Sequence, residues 1–191
     1  MNKKYREQYT IQPVKTANGF SEKIQYTGVY YVADLPTEKL QKYKSAFIGI
    51  SVVIALLFVM MGFLNNDGSK VLVIILPYAI LFLPIVFMII SSVSFYRNQG
   101  RLTTPMYDKS FKRLKTAGIG ILVLSSASVV GDVFYMFSGQ GKATVMEIIF
   151  VICGMLIAVV AFLSVQIHKK ISFRQIGNPH DEGTTADENR K

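Results

Sequence analysis

Residues 116–168 read TAGIGILVLSSASVVGDVFYMFSGQGKATVMEIIFVICGMLIAVVAFLSVQIH, and this stretch decides the fold. It contains two long apolar segments joined by a glycine-rich turn. Each segment carries a single acid, which is Asp132 in the first and Glu147 in the second. A helix needs about 20 consecutive, mostly apolar residues to cross the hydrocarbon core of a bilayer. Both segments are that long, so we predict transmembrane helices at about 116–137 and 143–166.

Two further apolar segments precede this stretch. They predict transmembrane helices at about 45–64 and 71–96, joined by a short polar turn of the kind that reverses a chain. The chain is 51% hydrophobic and 17% charged, and its apolar residues are concentrated in these four blocks. A soluble domain would instead spread them periodically over amphipathic elements. The predicted fold class is therefore an all-α membrane protein, with four transmembrane helices within residues 45–168 arranged as two hairpins.

The distribution of basic residues predicts the orientation in the membrane. Of the 21 Lys and Arg residues, 8 lie in residues 1–44, 6 in residues 97–115 and 5 in residues 169–191. The two short turns contain only Lys70 and Lys142. Basic residues accumulate in the cytoplasmic segments of membrane proteins. We therefore expect a multi-pass plasma membrane protein with both termini and the middle loop in the cytoplasm.

The two terminal segments are polar. Within residues 1–44, the segment Ile24–Val32 is rich in β-branched and aromatic residues and predicts a short strand or extended segment. Pro36 predicts the start of a helix that continues into the first span. The tail, residues 169–191, soon becomes polar and acidic, so we expect it to be largely disordered beyond about Ile176.

The middle loop has the pattern of a short amphipathic helix. Thr104-Pro105 is a favourable helix start, and Tyr107, Phe111 and Leu114 then recur three or four residues apart. This spacing is typical of a helix that lies on the cytoplasmic membrane surface. The basic residues on its other faces would bind anionic lipid headgroups with about 1 kcal/mol each: Lys109, Lys112, Arg113 and Lys115. The orientation preference alone also accounts for these charges, and a protein or nucleotide partner is a further alternative.

The residue content argues against most catalytic and cofactor chemistry. The only histidines, His168 and His180, lie outside the predicted spans, and their spacing does not suit a metal or haem site. Cys153 is the only cysteine, so an intramolecular disulfide is impossible. The sequence has no glycine-rich phosphate loop and no catalytic serine motif. We therefore expect no metal, no cofactor, no catalytic residues and no nucleic-acid partner.

Asp132 and Glu147 are the candidate functional residues within the membrane. Asp132 lies about six residues before the second turn and Glu147 about five residues after it, so the two acids are predicted to lie at the same depth. Ser128 and Tyr135 fall on the same helical face as Asp132. A charged side chain within a span costs about 2.5–3.5 kcal/mol. These four residues are therefore predicted to form an ion- or proton-binding site.

A structural role for the two acids is the alternative. In that case Glu147 would reach the outer membrane surface, with Lys142 as a possible partner. Asp132 would form a hydrogen bond to Ser128 or Tyr135 and so join two helices. Under the binding hypothesis, the two carboxyl groups would instead share a proton or bind a cation at neutral pH.

Small residues predict where the third and fourth spans pack against each other. Gly154 and Ala158 form a pair four residues apart, the spacing that lets helix backbones approach closely in a membrane. On the third span, Gly118 and Ser125 belong to the same face as Asp132. We expect the two faces to be in contact.

Three functions are compatible with these features. The leading hypothesis is a non-enzymatic accessory or scaffold subunit that packs laterally against its own copies or within a larger membrane complex. The second is a small oligomeric transporter or channel for protons or cations that uses Asp132 and Glu147. The third is a lipid-modifying enzyme with the same two residues as general acid and base.

Overall fold

The structure is a computed structural model, which describes residues 3–16, 19–98, 100–138 and 144–177. Most of it is helical, and each of its four long helices is long and apolar enough to cross a membrane. These helices are α1, Thr37–Phe63; α2, Leu72–Arg97; α3, Thr104–Phe137; and α4, Val145–Lys169. The prediction of four such helices is confirmed. The insertion in a membrane, the arrangement as hairpins and the orientation stay predictions.

The four helices form a closed bundle. α2 packs against α1 and α3, and α4 packs against α3 and α1. Each helix contributes at least one large aliphatic side chain that is fully inaccessible to solvent, for example Ile54, Leu81, Ile121 and Ile157. On the outer faces many large apolar side chains are exposed, among them Leu56 and Leu163. This arrangement of a packed interior and an apolar exterior is consistent with a multi-pass membrane protein.

The described residues also form five strands, which the predicted all-α fold class does not include. β1, Tyr9–Thr16, and β2, Gly19–Tyr26, form an antiparallel pair. β3, Tyr30–Ala33, is the central strand of a second sheet. It pairs antiparallel with β4, Leu102–Thr103, and with β5, Phe173–Ile176.

The predicted strand Ile24–Val32 is divided between β2 and β3. β2 ends at Tyr26, and the chain turns through Gly28 before β3 begins at Tyr30. A Cβ atom at Gly28 would lie 2.6 Å from the hydroxyl oxygen of Tyr26. This hydroxyl donates a hydrogen bond of 2.9 Å to the carbonyl of Val29. The division therefore follows from a glycine whose lack of a side chain lets the Tyr26 ring fold back over the turn.

Strands β3, β4 and β5 come from three separate parts of the chain. They precede α1, precede α3 and follow α4, and they meet at one end of the bundle, which we call the sheet end. The opposite end contains residues 64–71, which connect α1 to α2, and we call it the turn end. A backbone hydrogen bond of 3.0 Å from Asp34 to Ser172 also joins the N-terminal and C-terminal segments.

Aromatic side chains fill the space between the sheet and the helices. Tyr31 of β3 stacks on Tyr107 with 4.2 Å between the ring centroids. Phe111 stacks on His168 at 3.8 Å and lies 4.7 Å from Phe173 of β5. These contacts join β3, β5 and the neighbouring ends of α3 and α4 into one unit at the sheet end.

The predicted amphipathic surface helix is therefore not a separate element. α3 continues without a break from Thr104 into the apolar span and includes one π-helical turn, Asp108–Lys112. The apolar face that was predicted to contact lipid is covered by protein instead, since Phe111 and Leu114 are almost fully buried. The packing of β3, β5 and α4 against this face explains the difference.

Two predictions concern residues that the structure describes only in part. β5 ends at Ile176, close to the predicted start of the disordered tail, and residues 178–191 lie outside the described residues. Residues 139–143, which include most of the second predicted turn, also lie outside them.

Candidate functional site

Asp132 and Glu147 lie together at the turn end of the bundle. Asp132 is in the last turns of α3, and Glu147 is in the first turn of α4. The connection between α1 and α2 folds over both of them. Both acids have no solvent exposure, so neither reaches the surface of the molecule.

Glu147 is held by the connection between α1 and α2. Its Oε1 atom accepts a hydrogen bond of 2.8 Å from the backbone N–H of Gly68. Its Oε2 atom accepts one of 2.9 Å from Nδ2 of Asn66. Its backbone N–H donates to Oγ1 of Thr144, the N-cap residue of α4, at 3.4 Å. This geometry differs from the alternative in which Glu147 reaches the membrane surface, because the turn supplies donors inside the bundle.

Gly68 lies next to the two carboxyl groups, where there is no room for a side chain. A Cβ atom at this position would collide with Oδ1 of Asp132 and would lie 3.0 Å from Oε2 of Glu147. It would also lie 3.3 Å from Nδ2 of Asn66. No larger residue fits here unless a carboxyl group moves, so the turn, α3 and α4 meet at Gly68.

Asp132 differs from Glu147 because its carboxyl group has no hydrogen-bond partner within the described part of the chain. The same is true of the Ser128 hydroxyl, one helical turn before it, and of the Oδ1 atom of Asn66. The predicted hydrogen bond from Ser128 or Tyr135 to Asp132 is therefore not formed. Buried polar groups in proteins are usually bonded to protein, water or a ligand.

Tyr135 lies near this cluster but forms no hydrogen bond with Asp132. Its partly exposed side chain lines a groove of about 520 Å³ between α2 and α3, together with Val73 and Gly131. Of the four predicted site residues, the structure therefore gathers Asp132, Glu147 and Ser128 in the buried cluster at the turn end, and it adds Asn66 and Gly68.

Lys70, in the connection between α1 and α2, forms its ion pair with Asp67 and not with the buried acids. The Nζ atom of Lys70 is 2.8 Å from Oδ1 of Asp67, and both side chains are largely exposed. The hydrogen bond to Asp67 is the main cause that raises the pKa of Lys70. This ion pair lies on the outer surface of the turn, and a solvent-exposed pair of this kind contributes little to stability.

The small residues predicted for helix packing lie mostly between α3 and α4. A Cβ atom at Gly154 would be 2.5 Å from Cγ2 of Val129, and one at Gly118 would be 3.3 Å from Cγ2 of Val165. Ser125 is buried and donates to the carbonyl of Leu122 at 3.2 Å. Ala158 is half-buried.

The basic residues predicted for the membrane surface are all exposed at the start of α3: Lys109, Lys112, Arg113 and Lys115. The Nζ atom of Lys112 is 3.9 Å from the Asp108 carboxylate, and the guanidinium of Arg113 lies 5.5 Å from the centre of the Phe87 ring. Lys44 is different, because it is buried and donates to the Asn98 carbonyl at 2.6 Å.

Sequence reasoning missed the roles of Asn66 and Gly68. The run Asn65-Asn66-Asp67-Gly68 is typical of a turn, and nothing in it indicates a contact with α4. Glu147 is separated from these two residues by 81 and 79 positions. Such a contact depends on how the helices pack, which a local pattern does not encode.

The cluster has the chemistry of a site for a proton or a small cation, because its unpartnered atoms are oxygens. Within the described residues, no group of three or more His, Cys, Asp or Glu residues could hold a metal ion. No protein-family model matches the sequence, and neither a curated protein nor a solved structure matches it, so the functional proposal depends on the sequence and structure of this chain alone.

Proposed function

We propose that the chain is a non-enzymatic multi-pass protein of the plasma membrane that serves as an accessory or scaffold subunit of a larger membrane complex. One observation carries the proposal: the segments before α1, before α3 and after α4 meet in one sheet. The polar segments from which these strands come contain 19 of the 21 basic residues. The described parts of these segments therefore form one folded unit beside exposed basic residues, which is suitable for binding a partner.

The charge distribution supports an orientation with the sheet end in the cytoplasm. Basic segments are retained on that side of the membrane, and the two short turns of the sequence contain only Lys70 and Lys142. Both termini would then be cytoplasmic. The exposed apolar side chains on the outer faces of the helices would contact lipid or a neighbouring membrane subunit.

The sheet end would bind anionic groups through its exposed cations. Among the described residues, Arg97, Arg101, Lys109 and Lys115 are exposed, and no ion pair within 4.0 Å involves them. Anionic lipid headgroups attract such residues with about 1 kcal/mol each. The same charges would suit an acidic surface on a cytoplasmic subunit, which would bind in addition to the lipid.

Purification in a mild detergent followed by mass determination of the intact complex tests the proposal. The expected result is a foreign subunit in a fixed ratio to this chain. The substitution of Lys109, Lys112, Arg113 and Lys115 by Gln should weaken its retention, whereas Lys70→Gln at the turn end should not. A monomer without any partner in several mild detergents would contradict the proposal.

A second candidate function is a small oligomeric transporter for protons or cations. The buried and unpartnered carboxyl group of Asp132 favours it. Flux measurements in liposomes, with wild-type protein and Asp132→Asn, separate the two functions. Flux that requires Asp132, from a complex that contains only this chain, would support transport and contradict the accessory role.

A further inference from the structure

The turn end contains buried oxygen atoms that lack a hydrogen-bond partner. The Oδ1 atom of Asn66, both carboxyl oxygens of Asp132 and the hydroxyl of Ser128 are buried without a partner among the described residues. Asn66 is 1% exposed, and its amide group lies in the cluster because Nδ2 donates to Glu147. A group that supplies a hydrogen-bond donor or a positive charge would therefore satisfy these oxygens.

The two acids are in different environments. Glu147 accepts hydrogen bonds of 2.8 and 2.9 Å from two N–H donors, which stabilise its ionised form. Asp132 accepts none and is fully buried, so its ionised form would be unpaired in an apolar bundle. The proximity of the two carboxyl groups also disfavours the ionisation of both, because like charges repel at short range.

The space near the acids suits a proton better than a metal ion. Gly68 occupies the place next to both carboxyl groups, and even a methyl group there would collide with Asp132. A calcium ion requires six to eight oxygen ligands at about 2.3–2.6 Å. Among the described residues, this site offers two carboxyl groups, the Asn66 amide oxygen and the Ser128 hydroxyl, and it contains no group of three or more His, Cys, Asp or Glu residues.

We propose that Asp132 and Glu147 together bind one proton at neutral pH and that this proton resides on Asp132. The hydroxyl of the protonated Asp132 then donates to a neighbouring acceptor, such as Glu147 or Oδ1 of Asn66. Glu147 remains ionised and keeps its two bonds to the turn. The proton removes one negative charge from the cluster and supplies a donor that the acceptors lack.

Loss of this proton weakens the contact between the turn and the helices. Two negative charges would then lie against Gly68 and Asn66, and outward movement of the turn would relieve their repulsion. Among the described residues, the other charged or titratable groups near the cluster are Asp67 and Lys70 of the turn and Tyr135 of α3. Asp67 and Lys70 neutralise each other at the surface.

The dependence of thermal stability on pH tests this inference. The folded state holds one proton more than the unfolded state at neutral pH, so the melting temperature in detergent should fall as pH rises from about 5 to about 9. Asp132→Asn should remove this part of the slope, because the amide supplies the donor at every pH. Asp67→Asn, which changes an exposed acid of the same turn, should keep the wild-type slope.

Equal slopes for wild type and Asp132→Asn would overturn the inference. Stabilisation of the wild type by sodium or calcium chloride at neutral pH, relative to choline chloride of equal ionic strength, would assign the site to a cation instead. If Asp132→Asn does not fold, infrared spectroscopy of the wild type decides. A carbonyl band of a protonated carboxyl group at neutral pH supports the proposal, and its absence contradicts it. None of these measurements depends on a partner subunit.

Discussion

Gly68 and Asn66 join the first helix pair to the acids of the second. The backbone N–H of Gly68 and the side-chain amide of Asn66 both donate to Glu147. Hydrogen bonds to a charged acceptor contribute about 1.5–3 kcal/mol each. The turn is therefore a structural contact of the bundle as well as a loop that reverses the chain.

Gly68→Ala should destabilise the protein by about 1–3 kcal/mol, the usual cost of an added methyl group in a well-packed interior. The new Cβ atom would collide with Oδ1 of Asp132 and displace it. Gly49→Ala in α1 is the matched control, because its Cβ atom would have no neighbour within 4 Å.

Gly49→Ala should raise stability slightly, by about 0.5–1 kcal/mol, since alanine is favoured over glycine within a helix. Thermal unfolding in detergent compares the two variants. A Gly68→Ala variant as stable as the wild type, or more stable, would show that Gly68 is not confined by the two acids.

At the scale of elements, the contact between α3 and α4 depends on Gly154 and Val129. A Cβ atom at Gly154 would be 2.5 Å from Cγ2 of Val129 and 3.6 Å from Cε of Met61. Gly154 therefore lies where α4 approaches both α3 and α1. A leucine here would force the helix backbones apart.

A double-mutant cycle can test this contact. Gly154→Ala should lower the melting temperature, with a cost of about 1–3 kcal/mol, because the methyl group meets Val129. Val129→Ala removes the colliding atom, so the double variant should lose less stability than the sum of the two single variants. Additive losses would indicate that the two positions are not in contact.

At the sheet end, β5 is attached to the bundle through Phe173. Its ring lies 4.7 Å from Phe111, 5.2 Å from Tyr107 and 6.4 Å from Phe95. The neighbouring Arg174 is exposed and pairs with Val32 through the backbone ladder alone. Substitution of Phe173 therefore removes side-chain packing, whereas substitution of Arg174 keeps both this packing and the backbone pairing.

Phe173→Ala should detach β5 at a cost of up to about 3 kcal/mol, the lower end for a Phe to Ala change because Phe173 is half-buried. The amide of Asp34, which donates to the carbonyl of Ser172, should then exchange its hydrogen faster. Arg174→Ala should leave that rate nearly unchanged. Protection of Asp34 in the Phe173→Ala variant would contradict the role given to the aromatic cluster.

The helices could be predicted from the sequence because the length of an apolar segment is a local property. Pro36 also marked the start of α1 correctly, since the helix begins at Thr37. β4 could not be predicted, because it has only two residues and exists through its pairing with Tyr30 and Tyr31. The acids were identifiable as isolated charges in apolar segments, but their contacts with Asn66 and Gly68 required the packed bundle.

At the scale of the whole molecule, the two ends of the bundle are different in chemistry. Among the described residues, the sheet end combines exposed basic side chains and the aromatic cluster, whereas the turn end contains two buried acids and one exposed ion pair. A membrane protein with this asymmetry is expected to insert in one direction only. The two ends should therefore be exposed to opposite sides of the membrane.

Labelling of single cysteines with a membrane-impermeant reagent in intact cells tests this account most directly. Cys153 is first replaced by Ala, and one exposed position is then changed at each end, Asn65→Cys at the turn end or Arg174→Cys at the sheet end. Asn66 is unsuitable because its side chain is buried. The account predicts that the cysteine at position 65 is labelled from outside, and that the one at position 174 is labelled only after the membrane is permeabilised. Labelling of position 174 in intact cells would contradict it.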